Sequence, residues 1–177
     1  MNLLFLTLAA VSGMIGLELN PQAWRTVNDG VMGGVSSGQV TASDDGLRFS
    51  GELSLENNGG FASARRPISE DLSAAQAVRI SVRGDGRRYQ LRLRQDGRFD
   101  GIAWRAHFET GPDWQDIEIP LAAFEPVYRG RPVPDAGKLE PARLRQLGLM
   151  LADGTPGAFH VELRAIDFLA EASSSEP

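Results

Sequence analysis

Apolar and polar residues alternate with a period of two along much of the chain. Val78, Ile80 and Val82 alternate with Arg79, Ser81 and Arg83, and Tyr89, Leu91 and Leu93 alternate with Gln90, Arg92 and Arg94. Ile102, Trp104, Ala106 and Phe108 alternate in the same way with Ala103, Arg105, His107 and Glu109. Successive side chains of a strand point to opposite faces, so each run predicts a half-buried antiparallel strand with one apolar and one polar side. Leu47 to Leu55, Gln115 to Pro120, Leu147 to Leu151 and Phe159 to Ile166 read as further strands. In the last of these the alternation slips near Ala165, which predicts a bulge.

Turn chemistry separates the runs. Asp44-Asp45-Gly46, Gly84-Asp85-Gly86 and Asp153-Gly154-Thr155-Pro156-Gly157 combine residues that bond their own backbone with residues that accept unusual φ angles. Gly84 to Gly86 is expected to close a hairpin between the Val78 and Tyr89 strands. Helix is expected only as one or two turns over Glu140 to Gln146, with Pro141 near the start, and as a single turn over Ser69 to Ala75. Many short strands joined by Gly- and Pro-rich connections predict an all-β chain, a β-sandwich with little helix. One domain is expected over residues 17–169, followed by a disordered polar tail over 170–177.

Composition narrows the function. The 177 residues suit a single core, and a net charge of -5 argues against a dedicated nucleic-acid binder, which needs a basic footprint. There is no cysteine, which removes disulfides, thiolate metal sites and cysteine nucleophiles. Of the 18 basic residues only Lys138 is a lysine. Met1 to Ile15 is mostly apolar, too short to span a bilayer, and carries the small residues Ala9, Ala10, Ser12 and Gly13. Residues 1–16 therefore read as a signal peptide or as a first buried strand. The expected location is periplasmic or secreted, with the cytoplasm as the alternative and no stable transmembrane anchor.

Two segments break the strand pattern. Trp24 to Gly38 holds four glycines, the pair Asn28-Asp29 and the run Met32-Gly33-Gly34-Val35-Ser36, and Asn57-Asn58-Gly59-Gly60-Phe61-Ala62-Ser63 repeats that chemistry. Asn28, Asp29, Ser36, Asn58 and Ser63 are candidate polar contacts for a ligand or partner, with Phe61 and Trp24 as apolar anchors. The competing reading is that these groups bond to the loops' own backbone and lock one end of the sandwich. Hard cations take oxygen ligands, so a structural calcium held by Asn28 or Asp29 with Asp167 is conceivable; no other cofactor is expected.

The polar phase of the strands gives a third candidate. Arg79 and Arg83, Arg92 and Arg94, and Arg105 and His107 would form a basic face if their strands are neighbours, and such a face suits an anionic ligand or an acidic protein surface. The alternative is a solvated face paired across strands with groups such as Glu109 or Glu162. Tyr89 and Trp104 fall on the apolar phase, away from any sugar on that face. Enzymatic arrangements are poor: His107 and His160 are the two histidines, with no triad or metal spacing around them.

The ordered set of motifs resembles the complex I intermediate-associated protein 30 family. The resemblance runs through Trp24, Val27-Asn28-Asp29, Val31 to Ser36, Phe49-Ser50-Gly51 and Asn58 to Ser63. It continues through Gly84-Asp85-Gly86, Tyr89, Trp114, Ile119-Pro120, Phe124, Arg129-Gly130-Arg131, Leu147-Gly148 and Phe159 to Phe168. It implies a galactose-binding-like jelly roll of two antiparallel sheets. Mitochondrial members are assembly factors for respiratory complex I, so the resemblance implies a protein partner, with a component of that membrane complex as the candidate, and no catalytic residues come with it. The function expected is a non-catalytic protein-binding module of the assembly-factor type; the alternative is a carbohydrate-binding module, and an enzyme ranks third.

Overall fold

The computed structural model describes residues 13–170. Most of the signal-peptide expectation (residues 1–12) and nearly all of the expected disordered tail (residues 171–177) lie outside the described residues. Thirteen strands follow one another: β1 (Met14–Gly16), β2 (Arg25–Thr26), β3 (Ser37–Ala42), β4 (Leu47–Leu53), β5 (Ala62–Pro67), β6 (Ala77–Gly84) and β7 (Arg88–Arg94). They continue with β8 (Ala103–Glu109), β9 (Gln115–Pro120), β10 (Glu125–Tyr128), β11 (Arg131–Pro132), β12 (Gln146–Leu151) and β13 (Gly157–Leu169). Helix among the described residues is limited to short 3-10 turns, one of them Pro141–Arg143 with its proline first.

The strands form two antiparallel sheets. One has the order β3-β4-β13-β6-β9, with β1 pairing β13 beyond the end of β4; the other has the order β11-β10-β8-β7-β12-β5-β2. The apolar phase of each strand explains the packing. Val78, Ile80 and Val82 of the first sheet face Tyr89, Leu91, Leu93, Leu147, Leu149 and Leu151 of the second, and all are fully buried. Phe159 bridges the layers, with ring centroids 5.1 Å from Phe49 and 6.5 Å from Tyr89. On β13 the buried positions run Phe159, Val161, Leu163 and then Ile166, and the register shifts between Leu163 and Ala165, at the predicted bulge.

The expected hairpin at Gly84 to Gly86 is not a hairpin. The turn is present, with Gly86 at φ +84°, but β6 pairs with β13 and β9 while β7 pairs with β12 and β8. The chain crosses from one sheet to the other, so that both apolar phases meet in the same core. Asp85 holds the crossing: its carboxylate accepts hydrogen bonds from Tyr89 Oη at 2.9 Å, from the His160 N–H at 2.8 Å and from the Arg87 N–H at 3.0 Å. Burial, then the adjacent Asp85 charge, pushes the Tyr89 hydroxyl up, so it stays a donor.

Candidate functional site

The two glycine-rich loops meet at one side chain. Asp29 is fully buried, and its carboxylate accepts the Ser36 N–H at 2.9 Å, Ser36 Oγ at 2.6 Å, the Gly60 N–H at 2.7 Å and the Phe61 N–H at 3.4 Å. Burial alone would raise its pKa; the bonds from Ser36 Oγ and from the Gly60, Ser36 and Phe61 amides outweigh it and hold the carboxyl below its ordinary range. Ser36 Oγ also accepts the Ser54 N–H at 2.9 Å. Asn28 Oδ1 accepts the Ser63 N–H at 3.2 Å, and Ser63 Oγ donates to the Val27 carbonyl. Four of the sequence candidates, Asn28, Asp29, Ser36 and Ser63, are thus committed to one another's loops.

The side chains of the remaining loop candidates take no part in that network. Trp24 sits in the core at 8% exposure, which leaves it little surface for a partner. Phe61 is half-buried, and Asn58 is exposed at φ 59°, a left-handed position that asparagine tolerates. Asp167 lies ten residues along β13 from the strand's Gly157 end, where Leu53 leads into Ser54 and the Asp29 loops, so it stands roughly 30 Å away. It pairs there with Arg79 at 3.6 Å. Asn28, Asp29 and Asp167 are therefore not brought together, and no group of three acidic or histidine side chains converges among the described residues.

The structure distributes the candidate basic residues over two sheets rather than one. Arg79 and Arg83 lie on β6, in the first sheet, and pair with Asp167 and Glu162 there. They share no sheet with Arg92, Arg94, Arg105 and His107, because the chain crosses layers at Asp85. In the second sheet the register instead aligns Arg25 of β2, Arg65 of β5, Gly148 of β12, Arg92 of β7, Arg105 of β8 and Glu125 of β10 in a single cross-strand row. Four arginines thus share a row with one carboxylate, and Glu125 engages only Arg105, at 3.1 Å. Gln90 and His107 form the adjoining pair, with His107 exposed.

Like charges on facing strands repel. Burial first, then the Arg94, Arg65 and Arg105 charges, pulls the Arg92 guanidinium down to about 10. Burial and then Arg94 do the same to Arg65, again to about 10, against a weaker pull from Asp100. Both remain charged at neutral pH, and neither forms an ion pair among the described residues. Arg94 is 6% exposed and donates Nη1 to the Gly101 carbonyl at 2.9 Å, so it anchors a loop. Partial desolvation of its ring by neighbouring side chains, then the Arg88 and Arg105 charges, lowers the pKa of His107 despite its exposure.

Arg25, Arg65 and Gly148 escaped sequence reasoning. The inward phase of β5 is Ala62, Ala64 and Arg66, too weakly apolar to announce a strand, so Arg65 had no visible face. Neither histidine side chain makes a hydrogen bond among the described residues.

Two antiparallel sheets with an open outer face define the class: a galactose-binding-like jelly-roll domain. Among solved structures, the chain resembles a family 11 carbohydrate-binding module of a cellulosomal cellulase from Clostridium thermocellum, with TM-score 0.69, 16% identity, and 93% of this chain and 98% of that one covered. A xylan-binding module matches at TM-score 0.53 and 17% identity, over 89% of this chain and 96% of that one. At such identity these likenesses establish the fold alone. The chain belongs to the complex I intermediate-associated protein 30 family, whose model matches residues 17–163.

Curated relatives named complex I intermediate-associated protein 30, mitochondrial, match from Mus musculus and from Drosophila melanogaster. The mouse protein is 28% identical over 116 residues, covering 63% of this chain and 35% of that protein. The fly protein is 28% identical over 141 residues, covering 73% and 47%. The chain therefore spans about a third to a half of the relatives' length. These relatives correct the expectation of a periplasmic or secreted protein, since both are mitochondrial by name. The apolar stretch behind that expectation serves the fold at its described end: Ile15 pairs with Phe168 and packs on the core. No helix among the described residues is long and apolar enough to cross a membrane.

Proposed function

We propose that this chain is a non-catalytic protein-binding module of the assembly-factor type, which holds a protein of a complex I assembly intermediate against the outer face of its seven-stranded sheet. The observation that carries the reading is the row Arg25, Arg65, Arg92 and Arg105, answered by the single carboxylate of Glu125. A protein of net charge -5 concentrates positive charge there, and an acidic partner surface would relieve the repulsion within the row. The locked loops around Asp29 keep the sandwich rigid, which limits the ordering cost of association. The names of the mouse and fly relatives support complex I as the context.

A carbohydrate ligand has less support. Tyr89 and Trp104 are buried in the core, and the aromatics exposed near the face are Phe99 and Tyr128, at its rim. The test is native electrophoresis of membranes from the source organism carrying the tagged chain. Co-migration with incomplete complex I, lost when Arg92 is replaced by glutamate, supports the reading; free migration in both cases rejects it.

A further inference from the structure

We propose that the arginine row contains an oxyanion-binding slot, formed by Arg65 and Arg92 on either side of Gly148, which takes one oxygen of a carboxylate or of a phosphate- or sulfate-type group. The proposal rests on the outer face being the engaging surface and specifies the chemistry seated there.

The slot follows from the register. Arg65 and Arg92 are the cross-strand neighbours of Gly148, which contributes no side chain between them. A Cβ on Gly148 would stand a tight 3.0 Å from the Ala64 carbonyl oxygen and in ordinary contact with Arg65 Cγ at 3.4 Å, so a side chain there would occupy the space beside the Arg65 stem. The space between the arginines, walled by Gln146, Met150 and Ser63, is about 10 Å³. That is the room one water-sized oxygen needs, and too little for a sugar ring.

Both guanidinium groups keep donors with no protein partner among the described residues. Arg92 uses Nη1 on Gln90 Oε1 at 2.8 Å and on the Met150 sulfur at 3.4 Å, and its Nε and Nη2 have no hydrogen-bond partner among the described residues. Arg65 likewise uses Nη1 on the Phe99 carbonyl at 2.8 Å and leaves Nε and Nη2 open. A guanidinium presents five N–H groups in a planar fork that matches an oxyanion, and partial burial strengthens the attraction. The carboxylates nearest the cluster are spoken for or remote from it: Asp100 is held by Arg129 at 2.6 Å and by Tyr128, and Glu125 by Arg105.

The walls are fixed in advance. Gln146 Nε2 bonds the carbonyls of Asp96 and Arg98 at 3.0 Å each, Arg94 bonds that of Gly101, and the Phe99 ring lies 5.5 Å from the Arg65 guanidinium. The loop between β7 and β8 is thereby fastened beside the slot, and an arriving anion meets a formed site.

The experiment is thermal unfolding at constant ionic strength, with chloride replaced stepwise by phosphate, by sulfate or by acetate, on the wild type, Arg92→Gln and Arg65→Gln. The wild-type Tm is expected to rise and saturate with at least one anion, and the rise to be lost in both variants. Saturation by phosphate or sulfate alone identifies a tetrahedral group; saturation by acetate identifies a carboxylate. In chloride, Arg92→Gln is expected to be at least as stable as the wild type, because it removes a desolvated cation repelled by its neighbours. No saturating rise with any of the three, or the same rise in both variants, overturns the slot. If Arg92→Gln loses the small-anion effect yet still binds a Glu-rich peptide as the wild type does, the slot stands but the partner uses other parts of the face. A peptide that binds the wild type with no small-anion effect overturns the slot and leaves the face reading intact.

Discussion

The Asp29 carboxylate accepts the Gly60 N–H at 2.7 Å across thirty-one residues of sequence, and this bond ties the two glycine-rich loops into one structure. Four donors converge on that buried carboxylate. Asp29→Asn turns one oxygen into a donor that would face other donors. We expect a loss of about 2–4 kcal/mol in urea unfolding, with partner affinity of the remaining folded protein unchanged. A fall in affinity without a fall in stability would place Asp29 in the binding surface instead.

The same carboxylate sets an acid sensitivity. Its folded-state pKa lies below the ordinary 3.8, so the stability it contributes is present above that value and is lost as pH falls through the folded-state value. Below about pH 4 the wild type should therefore lose stability more steeply than Asp29→Asn. Asp153, also held low by Arg87, contributes equally to both proteins and cancels in the comparison. Parallel pH profiles from thermal melts would contradict the assignment.

Gly59 and Gly34 are required by space rather than by backbone angle. Neither has positive φ, yet a Cβ at either position would fall inside van der Waals contact of the Asp29 carboxylate. Gly59→Ala should cost about 1–3 kcal/mol through overpacking. Gly30→Ala, where nothing lies within 4 Å, should be close to neutral in the same unfolding assay.

The Tyr89 hydroxyl is a buried donor to the Asp85 carboxylate at the crossing between sheets. Tyr89→Phe keeps the ring packing and deletes that bond, so a loss of about 1–3 kcal/mol is expected. Chemical denaturation checks it, and a neutral result would mean that the two backbone amides on Asp85 suffice to hold the turn.

Much of the sandwich was legible because its central strands carry large apolar residues at alternate positions, as in Tyr89-Leu91-Leu93 and Leu147-Leu149-Leu151. β3, β5 and β10 were not, because Gly38 and Val40, Ala62 and Ala64, or a Pro126 in the middle leave little periodic signal. The turn at Gly84-Asp85-Gly86 announced a reversal, but its residues do not say which sheet receives the next strand. For the same reason alternation puts Arg92, Arg105 and His107 on an outward phase but cannot tell that Arg79 and Arg83 belong to the other sheet. Arg25, Arg65 and Gly148 enter the row only through register, a relation among strands far apart in sequence.

The proposed function requires the arginine row to capture an acidic partner. The most direct measurement is the Kd of the purified chain for whichever complex I component the electrophoresis identifies as its partner, compared between wild type and Arg92→Glu, with circular dichroism confirming that both are folded. If the row is the binding surface, Arg92→Glu weakens binding about tenfold or more, and the difference shrinks as salt is raised. An unchanged Kd on folded protein would contradict it.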